Sequence, residues 1–460
     1  MSYSTKIKLP RSHPLDEAAQ KFPNNTALIS GERTYSYYQL YSKSLAIGKV
    51  LQNEGLLPGD IVILGECSVL ETILSFWACT LMGYRSFPVN MRFPEKSLKA
   101  LLSSIQPALC ISEKEIIPIK TRCFSEFPEV SGEANVPNEF NLDTAASLLM
   151  TSGSGGTPKI VEHSYRNHIV SALGSHANIP LAPENRWLLN LPLYHVGGLS
   201  ILFRTCLTGA AVVIPDTDDS LWDIINNQDV THISMVGTQL HRSLDNAHGR
   251  DSLRTLTAVL LGGSAIPTAL IQQALEMNIP IHVSYGSTEM ASQITTTPGK
   301  DPSAGLHNSG RLLPGRDLII SHEGEILVKG ETLALGYLEG TTLTPLGDDA
   351  GWFHTGDVGY VNVQGELTVT GRMDNQFISG GENIQPEHIE LALTRIAGIA
   401  NAIVLPQEDE EYGYRPIAYI VRSDSALTRE HIVAQLRLSL PGYMIPIDFF
   451  EYPLEPTQRE

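Results

Sequence analysis

The run Thr151-Ser152-Gly153-Ser154-Gly155-Gly156-Thr157-Pro158-Lys159 concentrates groups that hold anions. Its glycines let backbone N–H groups approach an anion with no Cβ in the way. Its hydroxyls and Lys159 add donors suited to phosphate oxygens. The run follows Ala145–Met150, an apolar stretch that reads as a strand. Two familiar phosphate loops fail on spacing. A Walker A loop needs Gly directly before Lys, and the dinucleotide fingerprint needs its third Gly at that same place; Pro158 occupies it. The alternative is a flexible linker of small residues, against which Lys159 and the preceding strand both argue.

Further candidates lie downstream. Tyr285-Gly286-Ser287-Thr288-Glu289 follows a predicted strand, and a glycine turn at a strand's carboxyl end is where α/β folds hold ligands. Tyr285 offers a stacking face, Thr288 a hydroxyl and Glu289 a hard oxygen suited to Mg2+; a lone glutamate is more often a solvated acid. Trp352-Phe353-His354-Thr355-Gly356-Asp357 ends in a carboxylate able to accept from two vicinal hydroxyls, as on a ribose, or it is a plain hairpin turn. Gly371-Arg372-Met373-Asp374 supplies a cation, or a charged linker, where the texture of the chain changes. Arg204 sits in the apolar stretch Leu199–Leu207, nine residues after His195. An unpaired guanidinium is costly there. It is either paired or runs its stem out to solvent.

The elements that position these groups read as α/β. Strands at Ile61–Leu64, Arg85–Val89, Trp187–Leu191, Ala210–Ile214, His232–Val236, Leu256–Leu261 and Ile281–Ser284 alternate with helices such as Val69–Met82, Glu95–Ile105, Leu199–Leu207 and Pro267–Glu276. This rhythm predicts parallel sheets covered by helices on both faces. Asp317–Lys329 and Trp352–Thr370 read as hairpins, turning at Glu323-Gly324 and Gln364-Gly365, and predict a small β-barrel-like part. A helix at Pro386–Ile396, strands at Ala402–Leu405 and Ile417–Val421, and a helix at Thr428–Leu438 predict a small α+β lid. The expected division is 1–371 and 372–460.

The chain has 460 residues, with 50 acidic against 32 basic side chains and a formal net charge of −18. Such a surface repels a phosphate backbone, so nucleic acid is not an expected partner. The N-terminus has no apolar core of a signal peptide, and the longest apolar run, Thr72–Met82, is too short to span a membrane. The five cysteines lack paired metal-ligand spacing and read as reduced core residues, which points to a cytoplasmic protein. A homo-oligomer is compatible with the sequence, which does not set the oligomeric state.

Taken in order, these motifs resemble the adenylate-forming superfamily of acyl-CoA ligases, luciferases and peptide-synthetase adenylation domains, over nearly the whole chain. The resemblance implies a loop at residues 151–159 over the β- and γ-phosphates of ATP. It implies that Gly262-Gly263-Ser264-Ala265 and Tyr285, with Gly286 and Ser287, bracket the adenine. Thr288 would touch the α-phosphate, Glu289 would hold Mg2+, and Asp357 would bind the ribose with help from Arg372. Asp374 would be the hinge of the lid, and Gly380-Gly381 would lie beside the pantetheine of coenzyme A. Within the superfamily, 377–390 and 187–199 look most like the ligases that join o-succinylbenzoate, a dicarboxylic aromatic acid, to coenzyme A. In that family Arg204 would hold the unreacting carboxylate, and His195, Gly262 and Ser287 would line the acyl pocket.

The sequence departs from the pattern in places. Gly155 stands where the family usually has Thr, and Ile160 where it has Gly. Thr457-Gln458-Arg459-Glu460 begins the family's closing motif, and its lysine would be the next residue. Either the sequence is truncated at the end of the lid or the protein lacks that group; the chain as written is expected to adenylate slowly while still passing a premade acyl-adenylate to coenzyme A. Three rival readings remain: another acyl- or aryl-CoA ligase, an adenylation domain loading a carrier protein, and a nucleotide-binding protein without catalysis.

Overall fold

The short apolar runs become buried parallel strands. Ile61–Leu64 is buried at every residue and lies parallel between Arg85–Pro88 and Leu109–Ile111. With Thr121–Arg122, Ala145–Thr151, Lys159–Ser164, Gly336–Glu339 and Thr342–Thr344 they form an eight-stranded sheet whose last members turn antiparallel. A nine-stranded sheet runs from Arg311–Leu312 through Ser292–Thr296, Ile281–Ser287, Ala258–Leu261, His232–Met235, Arg186–Leu188, Ala211–Ile214 and Thr26–Ser30 to Arg33–Ser36. This computed structural model describes residues 9–127, 139–151, 158–215, 220–263, 266–298, 306, 308–379, 382–409, 412–422 and 427–452.

Helices Tyr37–Asn53, Val69–Leu81, Tyr165–His176 and Val196–Cys206 contribute to the largest core, through Leu40, Ile47, Phe76, Trp77, Ile169 and Phe203. Their starts are written locally. Ser36 with Gln39 and Ser68 with Glu71 close capping boxes that satisfy otherwise orphaned N–H groups.

The predicted hairpins form one antiparallel sheet of four strands, Arg316–Ile320, Glu325–Gly330, Phe353–Val361 and Leu367–Arg372. Gly324 (φ 86°) and Gly365 (φ 80°) take the left-handed turn positions. The tail builds its own core from Ile384, Ile389, Leu393, Ala418, Ile420 and Ile432, beneath helices Pro386–Thr394 and Arg429–Leu436.

Several boundaries differ from the sequence reading. The strand expected at Trp187–Leu191 ends at Leu188, ahead of Pro192, which cannot donate to a ladder. The tail strands are longer than expected, Ile399–Asp409 and Gly413–Arg422, because their outer halves are polar and carry no apolar signal. Cys79, Cys110 and Cys206 are buried, but Cys67 and Cys123 are only partly so. Among the described residues no helix is long and apolar enough to cross a membrane.

Candidate active site

The strand Lys159–Ser164 organises the site. At its start Lys159 faces Thr151 across an antiparallel ladder, so the described ends of the glycine-rich run stand opposite each other. Ser152, Gly153, Ser154, Gly155, Gly156 and Thr157 lie outside the described residues. On its other edge the strand pairs with Gly336–Glu339, setting Val161 opposite Tyr337. Tyr337 donates its hydroxyl to Glu289 Oε1 at 2.8 Å, and Lys159 Nζ lies 4.6 Å from the Tyr337 ring centre. Burial and the Glu289 carboxylate raise the Tyr337 pKa, keeping it a donor. The Glu289 carbonyl accepts from the Ala334 N–H at 2.8 Å. His163 Nε2 meets the Thr288 carbonyl at 2.7 Å. Burial pushes the His163 pKa down to about 4, so the neutral imidazole donates from Nε2.

A second group stands beside the first. Asp357 and Arg372 are cross-strand partners. Asp357 Oδ1 accepts from Arg372 Nη1 at 3.0 Å, and Oδ2 accepts from the Tyr285 hydroxyl at 2.6 Å. Burial raises the Asp357 pKa, the Tyr285 and Arg372 donors oppose the rise, and the Glu289 charge adds to it. That last influence links the two groups electrostatically. Residues 353–357 are not a hairpin turn but part of the strand Phe353–Val361, which bulges against Glu325–Leu327. Gly356 has φ 70° and a Cβ there would stand 2.9 Å from Arg372 Nη2, so the bulge that presents Asp357 favours glycine. Arg372 Nη2 also reaches Asp374 Oδ2 at 3.5 Å, and Gln385 Nε2 donates to the Arg372 carbonyl at 2.8 Å.

The segment 285–289 corrects an expectation. Tyr285, Gly286 and Ser287 are not a turn; the strand runs through Ser287 and pairs back with Ser292–Thr296. Gly286 is required by close approach, since a Cβ there would sit 2.0 Å from the Ser292 carbonyl oxygen. The reversal falls instead at Thr288–Ala291, where Ser287 Oγ accepts from the Met290 N–H at 3.3 Å. Ala291 (φ 52°) and Ser292 (φ 109°) occupy backbone regions that L-residues disfavour, and such strain collects at functional turns.

Arg204 is fully buried, which removes the reading in which its stem reaches solvent. Its Nη2 donates to Ser292 Oγ at 3.1 Å and to Gln293 Oε1 at 2.9 Å, and its guanidinium lies 5.1 Å from the Trp187 ring centre. Nε and Nη1 have no hydrogen-bond partner among the described residues. Burial without a counter-ion lowers its pKa to about 9. Arg316, equally enclosed, is pushed down to about 9 by burial and by Arg204 itself. The Arg204 guanidinium thus sits under the strained turn, one hydrogen bond from Ser292, the cross-strand partner of Ser287.

His195 occupies the N-cap position of helix Val196–Cys206 without a side-chain cap bond and is exposed, its ring edge-on to Tyr194 at 4.8 Å. No described contact joins it to Glu289 or Asp357. A Cβ on Gly262 would lie 2.8 Å from Ser284 Oγ, and Gly263 has φ 88°. Ser264, Ala265, Gly380 and Gly381 lie outside the described residues, as do residues 453–460. Asp374 lies in the 3-10 turn Met373–Asn375. Sequence reasoning missed Tyr337 and His163. Their partners are 48 and 125 residues away, a separation that no local pattern reports.

The family model described as AMP-binding enzyme matches residues 15–338. The chain belongs to the AMP-binding enzyme family. It is 32% identical to the 2-succinylbenzoate–CoA ligase of Bacillus pumilus, over 93% of this chain and 91% of that one. It is 36% identical to the 2-succinylbenzoate–CoA ligase of Escherichia coli, over 81% and 79%. Among solved structures, E. coli MenE bound to an analogue of OSB-AMS superposes with a TM-score of 0.86 at 29% identity, covering 98% of both chains. The o-succinylbenzoate CoA synthetase of Bacillus subtilis in complex with ATP and magnesium ion gives 0.82 at 30% identity, covering 95% of both.

Proposed function

We infer that this chain activates o-succinylbenzoate with ATP as an acyl-adenylate and passes the acyl group to coenzyme A, releasing AMP and pyrophosphate. The observation that carries this reading is the pair of adjoining groups, Asp357 held by Tyr285 and Arg372, and Glu289 held by Tyr337 beside Lys159. One carboxylate suits a ribose and the other a metal-bridged triphosphate, in a chain whose relatives carry the ligase name.

The residues fit a magnesium ion of one kind. Among the described residues no group of three His, Cys, Asp or Glu could hold a metal. A single carboxylate is what Mg2+ takes when phosphates and water complete its shell. Bound there, it would neutralise charge on the departing pyrophosphate. The chain's own groups then divide the work. Tyr285 presents its ring to the adenine, with Gly262, Gly263, Ser264, Ala265, Gly286 and Ser287 around it. Asp357 accepts from the ribose hydroxyls while Arg372 keeps it ionised. Lys159 and the run from Thr151 to Thr157 hold the outer phosphates, and Thr288 the α-phosphate. The substrate carboxylate attacks the α-phosphorus in line, and pyrophosphate leaves.

His195 would border the acyl group and Arg204 its second carboxylate. Because Arg204 has no exposed surface, that carboxylate reaches Nε and Nη1 only when the packing around the guanidinium opens. Residues 372–460 would act as a lid on 1–371. Pivoting at Asp374, the lid brings Gly380 and Gly381 to the pantetheine for attack of the coenzyme A sulfur on the mixed anhydride. Closure of this type excludes water from a hydrolysable intermediate.

Coupled detection of pyrophosphate and CoA thioester over a panel of aromatic and aliphatic acids tests the reading. Thioester from o-succinylbenzoate in preference to benzoate is expected; pyrophosphate release without a CoA product would turn the assignment to carrier-protein loading. Tyr337→Phe removes one hydrogen bond to a charged group, worth about 1.5–3 kcal/mol. Steady-state assays should find kcat/KM lowered about 10- to 100-fold, with thermal unfolding little changed.

A further inference from the structure

His163 plays no part in the mechanism above, although it touches the residue before the proposed metal ligand. It is fully buried, so it meets neither solvent nor substrate. Its hydrogen bond is to the Thr288 carbonyl, at 2.7 Å. A carbonyl only accepts, so that bond selects the Nε2–H tautomer. Nδ1 has no hydrogen-bond partner among the described residues, so nothing there competes for the choice. The ring has little room to turn. His168 lies against it, centres 5.0 Å apart, and is itself stacked on Phe203 at 4.6 Å and bonded to Ser147 Oγ at 2.7 Å.

The Thr288–Ala291 turn is strained, since Ala291 and Ser292 both have positive φ, and within it the Thr288 carbonyl takes only the Ala291 N–H, at 3.0 Å. Four ties fix it from outside. Ala334 N–H holds the Glu289 carbonyl, Tyr337 holds the Glu289 carboxylate, the Ser171 hydroxyl holds the Ala291 carbonyl at 2.6 Å, and His163 holds the Thr288 carbonyl. Of these, His163 alone acts on the peptide plane between Thr288 and Glu289, whose tilt sets where the Glu289 side chain leaves the backbone. His163 stands on the strand that begins at Lys159, and Tyr337 on the strand paired to it. One rigid ladder therefore sets the distance between the Lys159 ammonium and the Glu289 carboxylate.

We propose that His163 is a positioning residue: its Nε2–H fixes the Thr288–Glu289 peptide and so aims the Glu289 carboxylate at the metal of the metal–ATP complex. The proposal rests on the reading of Glu289 as the magnesium ligand. Outer partners that orient a metal ligand change metal affinity about 10- to 100-fold when removed.

The test is Mn2+ affinity in the presence of ATP, read by the electron paramagnetic resonance signal of free Mn2+, on the full chain and three variants. His163→Gln places an amide N–H about where Nε2 stands and should bind Mn2+ within about threefold of the parent. His163→Asn, whose shorter amide falls short of the carbonyl, should bind at least about tenfold more weakly. His163→Phe, which keeps the ring and loses the donor, should match His163→Asn. The Mg2+ concentration giving half-maximal pyrophosphate release should follow the same order. Unfolding temperatures report the structural cost separately, and His163→Gln against His163→Asn decides the matter if the phenylalanine variant does not fold. Equal Mn2+ affinity for the glutamine and asparagine variants overturns the proposal. Glu289→Gln tests the underlying reading by itself: unchanged Mn2+ affinity there would remove Glu289 as ligand, whatever the His163 variants do.

Discussion

Arg204→Met should make the protein more stable and a far poorer ligase for a dicarboxylic acid. Two physical effects oppose each other in the fold, and their sizes decide the sign. Burial moves the guanidinium from 12.5 to about 9, a penalty of about 5 kcal/mol for keeping it charged. Arg316, the second buried guanidinium, adds repulsion. Against this, the substitution strips Gln293 Oε1 and Ser292 Oγ of a donor, at about 1–3 kcal/mol where the acceptor stays dry. Methionine fills much of the same volume against Trp187. The net expectation is a gain of about 2–4 kcal/mol, in line with other replacements of buried charge. Chemical denaturation measures it. For catalysis the same change would remove the partner proposed for the second carboxylate, worth about 2–5 kcal/mol. That predicts a fall in kcat/KM of at least about 30-fold for o-succinylbenzoate and little change for benzoate. A stabilised variant with undiminished use of the dicarboxylate would show that Arg204 is a structural oddity and not the clasp.

Acidification should destabilise the protein steeply, from about pH 6.5 down to about pH 4. Burial holds His13 at about 3, and His176 and His232 at about 4. His13 is ringed by Trp77, Phe140 and Tyr165; His176 bonds the Arg204 carbonyl at 2.9 Å; His232 stacks on Trp187 at 5.2 Å. The folded values lie below the unfolded value of 6.5, so the unfolded chain binds more protons throughout the window between them. Stability is therefore full above pH 6.5, falls as pH drops through it, and falls no further once below the folded values. At pH 5 each imidazole contributes about 2 kcal/mol of destabilisation, about 6 kcal/mol for the three together. Domains are commonly stable by only about 5–15 kcal/mol. Circular dichroism against pH measures the transition. His13→Phe, which keeps a ring in the aromatic cage, should move the midpoint to lower pH; a midpoint that ignored all three histidines would contradict the argument.

What could be read from the sequence depended on how local its cause was. Ile61–Leu64 was legible to the residue because a fully buried parallel strand is an unbroken apolar run. Helix Val69–Leu81 was legible to within one residue because Ser68 and Glu71 cap it. The tail strands were half-read, since Gln407-Glu408-Asp409 pairs by backbone alone with Gly413-Tyr414-Arg415. The site followed the same rule. Asp357, Arg372, Glu289 and Lys159 announce themselves by type within short motifs, and the structure brings them to neighbouring positions. Tyr337 and His163 carry no such mark. Each matters through a hydrogen bond to a residue far along the chain, and only the fold supplies that proximity. Arg204 lay between these cases. Its apolar surroundings signalled that it is unusual, but not that its guanidinium would be sealed beneath the turn that carries Glu289.

A crystal of the protein soaked with ATP and Mg2+ gives the most direct test. The ribose hydroxyls should lie on Asp357, the adenine against Tyr285, and the metal between Glu289 and the phosphates, with Lys159 at the pyrophosphate end. A nucleotide bound elsewhere, with Asp357 still closed on Tyr285 and Arg372 and no metal at Glu289, would contradict acyl-adenylate chemistry at this site.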